Sequence, residues 1–246
     1  MSTFDLYSEY YDLLYRDKDY AGEAEYVISL LRKFAPGART IMDLGCGTGK
    51  HAALFQKAGY DVAGVDLSET MLEQARTQYP AIAFQAGDAR NVRLNRTFDA
   101  VTSLFHVASY QTSNHDLLNY LKTARTHLAA GGTFIFDFWY GPGVFNDPPT
   151  VRIKRLQNDR LQVTRIAEPT IDTDRDVVNV HYQVLVQHDG QVQTIVEDHP
   201  MRYFFLPELE LALNMCGFAV TAFLEWRGDT RPSASSWSAC IVATAQ

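Results

Sequence analysis

Cysteine is scarce in this 246-residue chain. The three present, Cys46, Cys216 and Cys240, are odd in number and include no C-x-x-C pair, which argues against both a disulfide framework and a thiolate metal site. No stretch approaches 18 consecutive apolar residues, and the N-terminus lacks a basic run leading into an apolar core, so neither a membrane span nor a secretory leader is expected. Positive charge is also short. Lys and Arg number 22 against 29 Asp and Glu, a formal net charge of -7, and no basic footprint for nucleic acid or anionic lipid stands out. There is no internal repeat and no low-complexity tract. These absences favour a cytoplasmic protein that acts on small molecules, with a chain long enough for one domain carrying a lobe.

What is present is organised around Ile41-Met42-Asp43-Leu44-Gly45-Cys46-Gly47-Thr48-Gly49-Lys50, an apolar strand that runs into a glycine-rich turn and a helix start. Glycines at alternate positions let the backbone turn tightly and let a ligand lie against the main chain with no Cβ in the way. The helix from about Lys50 through Ala58 then aims its free N–H groups over the turn. A second short strand ends in Asp66, about 20 residues beyond the first glycine, where doubly wound folds place a carboxylate on ribose hydroxyls. Turn and acid together point to a nucleoside-containing cofactor. The dinucleotide fingerprint is G-x-G-x-x-G, whereas Gly45, Gly47 and Gly49 give G-x-G-x-G preceded by Asp43.

This stretch resembles motif I of the class I S-adenosylmethionine-dependent methyltransferases, D/E-x-G-x-G-x-G. The resemblance implies S-adenosyl-L-methionine as cofactor and no metal. It also implies that Tyr11, Asp12, Tyr15, Lys18, Asp19 and Tyr20 form a lid, with Tyr11 and Tyr20 facing the cofactor; an N-terminal helix that packs its aromatic side is the plainer alternative. Met71 would pack on the adenine, although a core role is the commoner one for such a residue. Asp88 would accept from the adenine amino group, against the possibility that Gly87-Asp88 is only a turn dipeptide. Cys46, Leu67, Ala89 and Phe105, neighbours of these motif positions, complete the expected cofactor-binding set with Gly45, Gly47, Gly49 and Asp66.

The rest of the chain supplies the frame. Apolar residues at helical spacing from Ala24 to Phe34 make a helix that Pro36-Gly37 stops, and helix and strand then alternate. Ser68 is expected to cap the helix carrying Met71, Leu72 and Ala75. The fourth strand, Phe98–Phe105, runs out into His106-Val107-Ala108-Ser109-Tyr110, the ledge where methyl donor and acceptor should meet by the crevice rule. Asn114 is expected to cap the next helix, with Gly131-Gly132 ending it, and the fifth strand carries Asp137 at its carboxyl end with Trp139-Tyr140 beyond. Asp137 is equally a strand-end carboxylate satisfied by backbone and a cleft residue that orients a polar acceptor.

After Pro149 the alternation of Val178, Val180, Tyr182, Val184 and Val186 with polar neighbours, and the turn at His188-Asp189-Gly190, mark an inserted antiparallel sheet, its polar face carrying Arg165, His181 and Arg202. Its apolar face requires covering by the core or by another subunit, its flat edge invites pairing, and a homodimer through this lobe is expected. The expected fold is therefore α/β: a Rossmann-like, doubly wound, mostly parallel sheet with an antiparallel terminal hairpin and an inserted antiparallel β lobe. Within one methyltransferase domain, residues 1–20 are the lid, 21–149 the cofactor-binding core, 150–205 the inserted sheet and 206–246 the closing helix and strands.

Within the class, the tyrosine-rich N-terminus, the acid-plus-Trp end of strand five and the inserted sheet resemble the N-methyltransferases and N,N-dimethyltransferases of nucleotide-linked amino sugars. The implied acceptor is a small molecule, a nucleotide sugar whose amino group is methylated. An Asn/Asp-Pro-Pro-Tyr/Phe motif, as expected for DNA or protein amide methylation, is missing from the ledge. Some of these sugar enzymes have a histidine where this chain has Tyr110, with His106 four residues earlier. An amine need only be unprotonated, so alignment at near-attack distance is expected to carry most of the acceleration, with His106, Tyr110 and the lid residue Tyr11 as the catalytic candidates. A small-molecule O-methyltransferase and a non-catalytic cofactor-binding module are the alternatives.

Overall fold

A computed structural model describes residues 13–16 and 18–246. Two compact units divide the chain: Tyr20–Asp147 with Tyr203–Gln246, and Pro148–Arg202 with the N-terminal segment up to Asp19.

The larger unit contains α1 (Tyr20–Phe34), β1 (Thr40–Leu44), α2 (Lys50–Lys57), β2 (Asp61–Asp66), α3 (Glu69–Gln78), β3 (Ala83–Ala86), β4 (Phe98–Ser103) and a 3₁₀ turn (Val107–Tyr110). It continues with α4 (Asn114–Thr126), β5 (Leu128–Tyr140) and α5 (Gly141–Asn146), and closes with α6 (Leu206–Met215), β10 (Phe218–Glu225) and β11 (Ser238–Ala245). Strands β3, β2, β1, β4 and β5 lie parallel in that order. Strand β11 then joins β5 antiparallel, and β10 pairs with β11. The order reverses between β1 and β4, which makes their carboxyl ends the switch point where a doubly wound sheet opens a crevice.

Both faces of this sheet are covered, and side-chain alternation along β5 explains how. Phe134, Phe136 and Phe138 point to one face with Met42, Leu44 and Val101, where α4 (Leu117, Tyr120, Leu121) and α6 (Leu209, Leu213) pack. Ile135 points to the other with Ile41, Val62 and Val242, where α1 (Val27, Ile28, Leu31), α2 (Phe55) and α3 (Leu72, Ala75) pack. A strand buried on both sides reads as a continuous apolar run, as Phe134–Phe138 does apart from Asp137.

The smaller unit contains β6 (Arg152–Gln157), β7 (Gln162–Asp172), β8 (Val177–His188) and most of β9 (Gln191–Phe204), an antiparallel meander. The β8–β9 turn has Asp189 at φ 48° and Gly190 at φ 76°, the left-handed pair that a two-residue hairpin needs. One face is packed by Val163, Val184 and Val186 against Leu13, Leu14 and Leu161. Pairing registers align Ile153, Ile166, Gln183 and Val196 across the opposite face, where Ile153 is 53% and Val196 56% exposed.

Several local expectations are corrected. Ser113, not Asn114, caps α4: its backbone is extended and its Oγ accepts the Asp116 N–H at 3.1 Å, whereas Asn114 is already helical. That helix closes at His127, whose Nδ1–H donates to the Thr123 carbonyl at 2.8 Å, and Gly131 and Gly132 lie inside β5. Arg165 is on the apolar face of the lobe, opposite Val184 in register and 4.8 Å over the Tyr182 ring, because a guanidinium can stack where an ammonium would stay hydrated. Arg202 is buried rather than solvated. Residues 141–146 form a short helix that no apolar periodicity announces.

Candidate active site

The turn after β1 is built from positive φ values: Gly45 at 89°, Gly47 at 54° and Gly49 at 76°. Two of these glycines serve different ends. A Cβ on Gly45 would come within 2.5 Å of Val107 Cγ2, so this residue lets the loop after β4 close over the turn. A Cβ on Gly47 would meet only Met71 Sδ, at 3.7 Å, so its face is open to a ligand. The turn is hung from β2: Gly45 N–H and Cys46 N–H both donate to the Val65 carbonyl, at 2.7 and 2.9 Å.

Asp66 ends β2 beside it. One carboxylate oxygen accepts Gly47 N–H at 2.7 Å and the other accepts Ser68 N–H at 2.8 Å. Each oxygen keeps a second lone pair, so the group is anchored and can still accept from a diol. Beneath the turn, Asp43 is 2% exposed; Oδ1 accepts the Thr102 hydroxyl at 3.1 Å and Oδ2 has no hydrogen-bond partner among the described residues. Burial pushes its carboxyl up to about 6, partly offset by His51 and by Thr102. His51, on α2, is itself buried with Nε2 2.9 Å from Glu23 Oε2 on α1, and the Tyr20 ring lies 5.1 Å from its ring.

The ledge after β4 is strained. Phe105 (φ 67°) and His106 (φ 64°) are consecutive non-glycine residues in the left-handed region, each costing about 1–2 kcal/mol. Asp137 holds them there. Its carboxylate, 1% exposed at the end of β5, accepts His106 N–H at 3.1 and 3.2 Å, and His106 Nδ1 sits 2.8 Å from Oδ2. Ser109 Oγ accepts Trp139 N–H at 3.0 Å, tying the 3₁₀ turn to the same strand end. The Trp139 ring meets His106 edge-on at 6.3 Å and Trp237 at 5.0 Å.

The glycine turn, Asp66 and the ledge after β4 fall in a segment, 41–132, that matches the model of a methyltransferase domain. Along most of its length the chain is 33% identical to a Streptomyces venezuelae protein, dTDP-3-amino-3,4,6-trideoxy-alpha-D-glucopyranose N,N-dimethyltransferase. The match spans 216 residues, 87% of this chain and 90% of that one. The chain belongs to the class I S-adenosylmethionine-dependent methyltransferases. Among solved structures this methyltransferase is similar to Streptomyces venezuelae DesVI, with a TM-score of 0.82 and 28% identity over 100% of this chain and 99% of that one. It is also similar to CalS10 of Micromonospora echinaspora, an amino pentose methyltransferase with S-adenosylmethionine bound, with a TM-score of 0.78 and 25% identity over 98% and 96% of the two chains.

The methyltransferase's own residues fit the cofactor. The open face at Gly47, the anchored Asp66 carboxylate and the buried Asp43 Oδ2, unpartnered among the described residues, supply space, acceptors and negative charge where a nucleoside with an amino-acid tail would need them. Of the remaining sequence-predicted positions, Met71, Ala89 and Phe105 are half-buried and Leu67 is 71% exposed. The Cys46 thiol is buried and pushed up by desolvation, which suits packing and not nucleophilic chemistry. Tyr110, at the end of the 3₁₀ turn, is exposed. Tyr11 and Asp12 lie outside the described residues.

Asp88 is less free than its motif position suggests. Arg90 donates to it through Nε at 2.9 and 3.0 Å, through Nη2 at 2.6 Å and through its backbone N–H at 2.9 Å, which holds the carboxyl below the usual carboxylate range. Arg90 also reaches Asp116 at 3.4 Å, so the loop after β3 is tied to the start of α4. Sequence reasoning passed over Arg90, though the D-x-R spacing was a readable signal. It had no signal for the strain at Phe105, a bulky residue type that rarely adopts positive φ, and the enrichment of histidine there is too weak to mark His106 by itself.

Proposed function

We propose that this methyltransferase moves the S-adenosylmethionine methyl group to the amino group of a nucleotide-linked amino sugar. The observation that carries the reading is the 33% identity to a dTDP-amino-sugar N,N-dimethyltransferase across 87% of the chain, including the ledge. When bound, the sulfonium supplies an activated methyl group and a neutral thioether leaving group. Gly45, Gly47, Asp43 and Asp66 bind and orient it, with Cys46, Gly49, Leu67, Met71, Asp88, Ala89, Phe105 and Tyr20 as further contacts. His106, Tyr110 and Trp139 are the acceptor side, where edges of aromatic rings suit a saturated sugar ring and a histidine suits its amine.

The test is turnover: incubation with S-adenosylmethionine and a dTDP-linked 3-amino-3,4,6-trideoxyhexose should yield mono- and then dimethylated product by mass spectrometry. Methylation of a sugar hydroxyl instead would favour the O-methyltransferase alternative, and cofactor binding without turnover on a panel of amino and hydroxyl acceptors would favour a binding module. We also propose a cytoplasmic homodimer through the lobe; because Leu13, Leu14 and Leu161 cover the Val184–Val186 face, the pairing would use the opposite face of the sheet. Ile153, Ile166 and Val196 in one cross-strand row, with Val192 60% exposed, support a covered surface. A monomeric mass by light scattering at micromolar concentration would count against the dimer.

A further inference from the structure

His106 is presented by a strained turn to which one buried carboxylate is devoted. Asp137 makes three contacts to this single residue, two from the backbone N–H and one facing Nδ1 at 2.8 Å. We propose that Asp137 is a positioning residue that holds His106 as its Nδ1–H tautomer, leaving Nε2 as the proton acceptor for the amine. The proposal rests on the amine acceptor proposed above.

Electrostatics decides the tautomer. A carboxylate oxygen 2.8 Å from Nδ1 attracts an N–H dipole and repels a lone pair even without a linear bond, so Nδ1 carries the proton and the neutral ring has its lone pair on Nε2. The Nδ1–H direction lies off the line to Oδ2, since the 2.8 Å approach does not meet hydrogen-bond angles. Such alignment tightens when substrates bind. Nε2 makes no hydrogen bond among the described residues, and the side chain is 21% exposed, so this nitrogen is available.

Other titratable groups near the pair stay neutral. Burial, with the nearby Asp137 carboxylate adding to it, pushes up both the Tyr120 phenol on α4 and the Cys240 thiol on β11. Asp137 is therefore the charge that faces His106. A purely structural carboxylate would need only the backbone N–H to fix the turn. The Nδ1 approach is the part that a structural role leaves without purpose.

The proton balance is direct. An amino sugar bound as its ammonium form gives one proton to Nε2, making an imidazolium that Asp137 stabilises. The freed nitrogen lone pair forms the N–C bond while the C–S bond breaks, and that electron pair remains on sulfur. The imidazolium then releases its proton to solvent, and the secondary ammonium product can repeat the cycle with a second cofactor.

Long-range ¹H–¹⁵N correlation spectra of the full chain saturated with S-adenosylhomocysteine, at a pH where the ring is neutral, read which nitrogen of His106 carries the proton. The resonance is assigned by its loss in His106→Gln. Nδ1–H is expected in the native chain. Nε2–H is expected in Asp137→Asn, whose amide can keep an oxygen for the backbone N–H while donating to Nδ1. Toward a dTDP-linked 3-amino sugar, kcat should fall about 10²-fold in both variants with the KM for S-adenosylmethionine unchanged. Nε2–H in the native chain overturns the proposal, whether or not Asp137→Asn folds. So does an undiminished kcat in His106→Gln. Nδ1–H together with cofactor binding but no methylation of any amino sugar would remove the amine reading and leave the tautomer assignment supported.

Discussion

Asp66 Oδ2 accepts the Gly47 N–H at 2.7 Å, so the acid that ends β2 also fixes the middle of the glycine turn after β1. Replacing it has two consequences. Asp66→Ala should remove hydrogen bonds to the cofactor of about 1.5–3 kcal/mol each and release the turn as well, weakening S-adenosylmethionine binding tenfold or more by calorimetry. Amide exchange at Gly47 should rise in the same variant without cofactor. An unchanged affinity would end the assignment of Asp66 to the ribose.

The two glycines of the turn should fail differently. Gly45→Ala drives a Cβ to 2.5 Å from Val107 Cγ2 at φ 89°, and the chain should lose stability by about 1–3 kcal/mol in urea unfolding. Gly47→Ala has room in the absence of ligand and should cost only the left-handed strain of about 1 kcal/mol. Its defect should appear in cofactor affinity, through the face that the methyl group covers.

Asp43 gives stability a pH dependence of known sign. Its carboxyl titrates near 3.9 when unfolded and at about 6 when folded, so between those values the native state keeps a proton that the unfolded chain has released. Stability from this group is full below about 4 and is lost as pH rises through about 6, by about 3 kcal/mol in total. Asp43→Asn should flatten that decline, and urea unfolding at pH 4.5, 5.5 and 7 would read the difference. Parallel curves for the two proteins would refute the buried, protonated carboxyl.

Capping gives a small, sharp test. Ser113→Ala should cost about 1 kcal/mol in thermal or urea unfolding because the Asp116 N–H loses its acceptor, while Asn114→Ala should be nearly neutral. The reverse order would restore Asn114 as the cap.

Much of the fold was legible because its rules are periodic. The glycine turn, the strand-end acid at Asp66 and the alternation from Val178 to Val186 each impose a spacing that survives in the sequence. Ser113 and Asn114 were confused because both residue types cap helices and only backbone angles separate them. The Asp137–His106 contact was half legible: the acid was visible at the strand end, but its partner lies 31 positions away and meets it through an unannounced left-handed turn. Arg165 was assigned to the polar face by charge, though its register partner is Val184. Charge is a poor guide to facing when a planar cation can lie on a tyrosine.

The three phenylalanines of β5 carry a further implication for how this protein can change over evolutionary time. Phe134, Phe136 and Phe138 fill one side of the sheet while Ile135 and Asp137 occupy the other. A shift of one residue would push three aromatic rings into the space of an isoleucine and an acid, and bury the Asp137 carboxylate among phenyl rings. Inserting or deleting a residue in this strand should therefore abolish folding before it could adjust catalysis. The turn at Asp189-Gly190 faces no such penalty, so length variation among descendants of this chain should collect there while the spacing from Phe134 to Trp139 stays fixed.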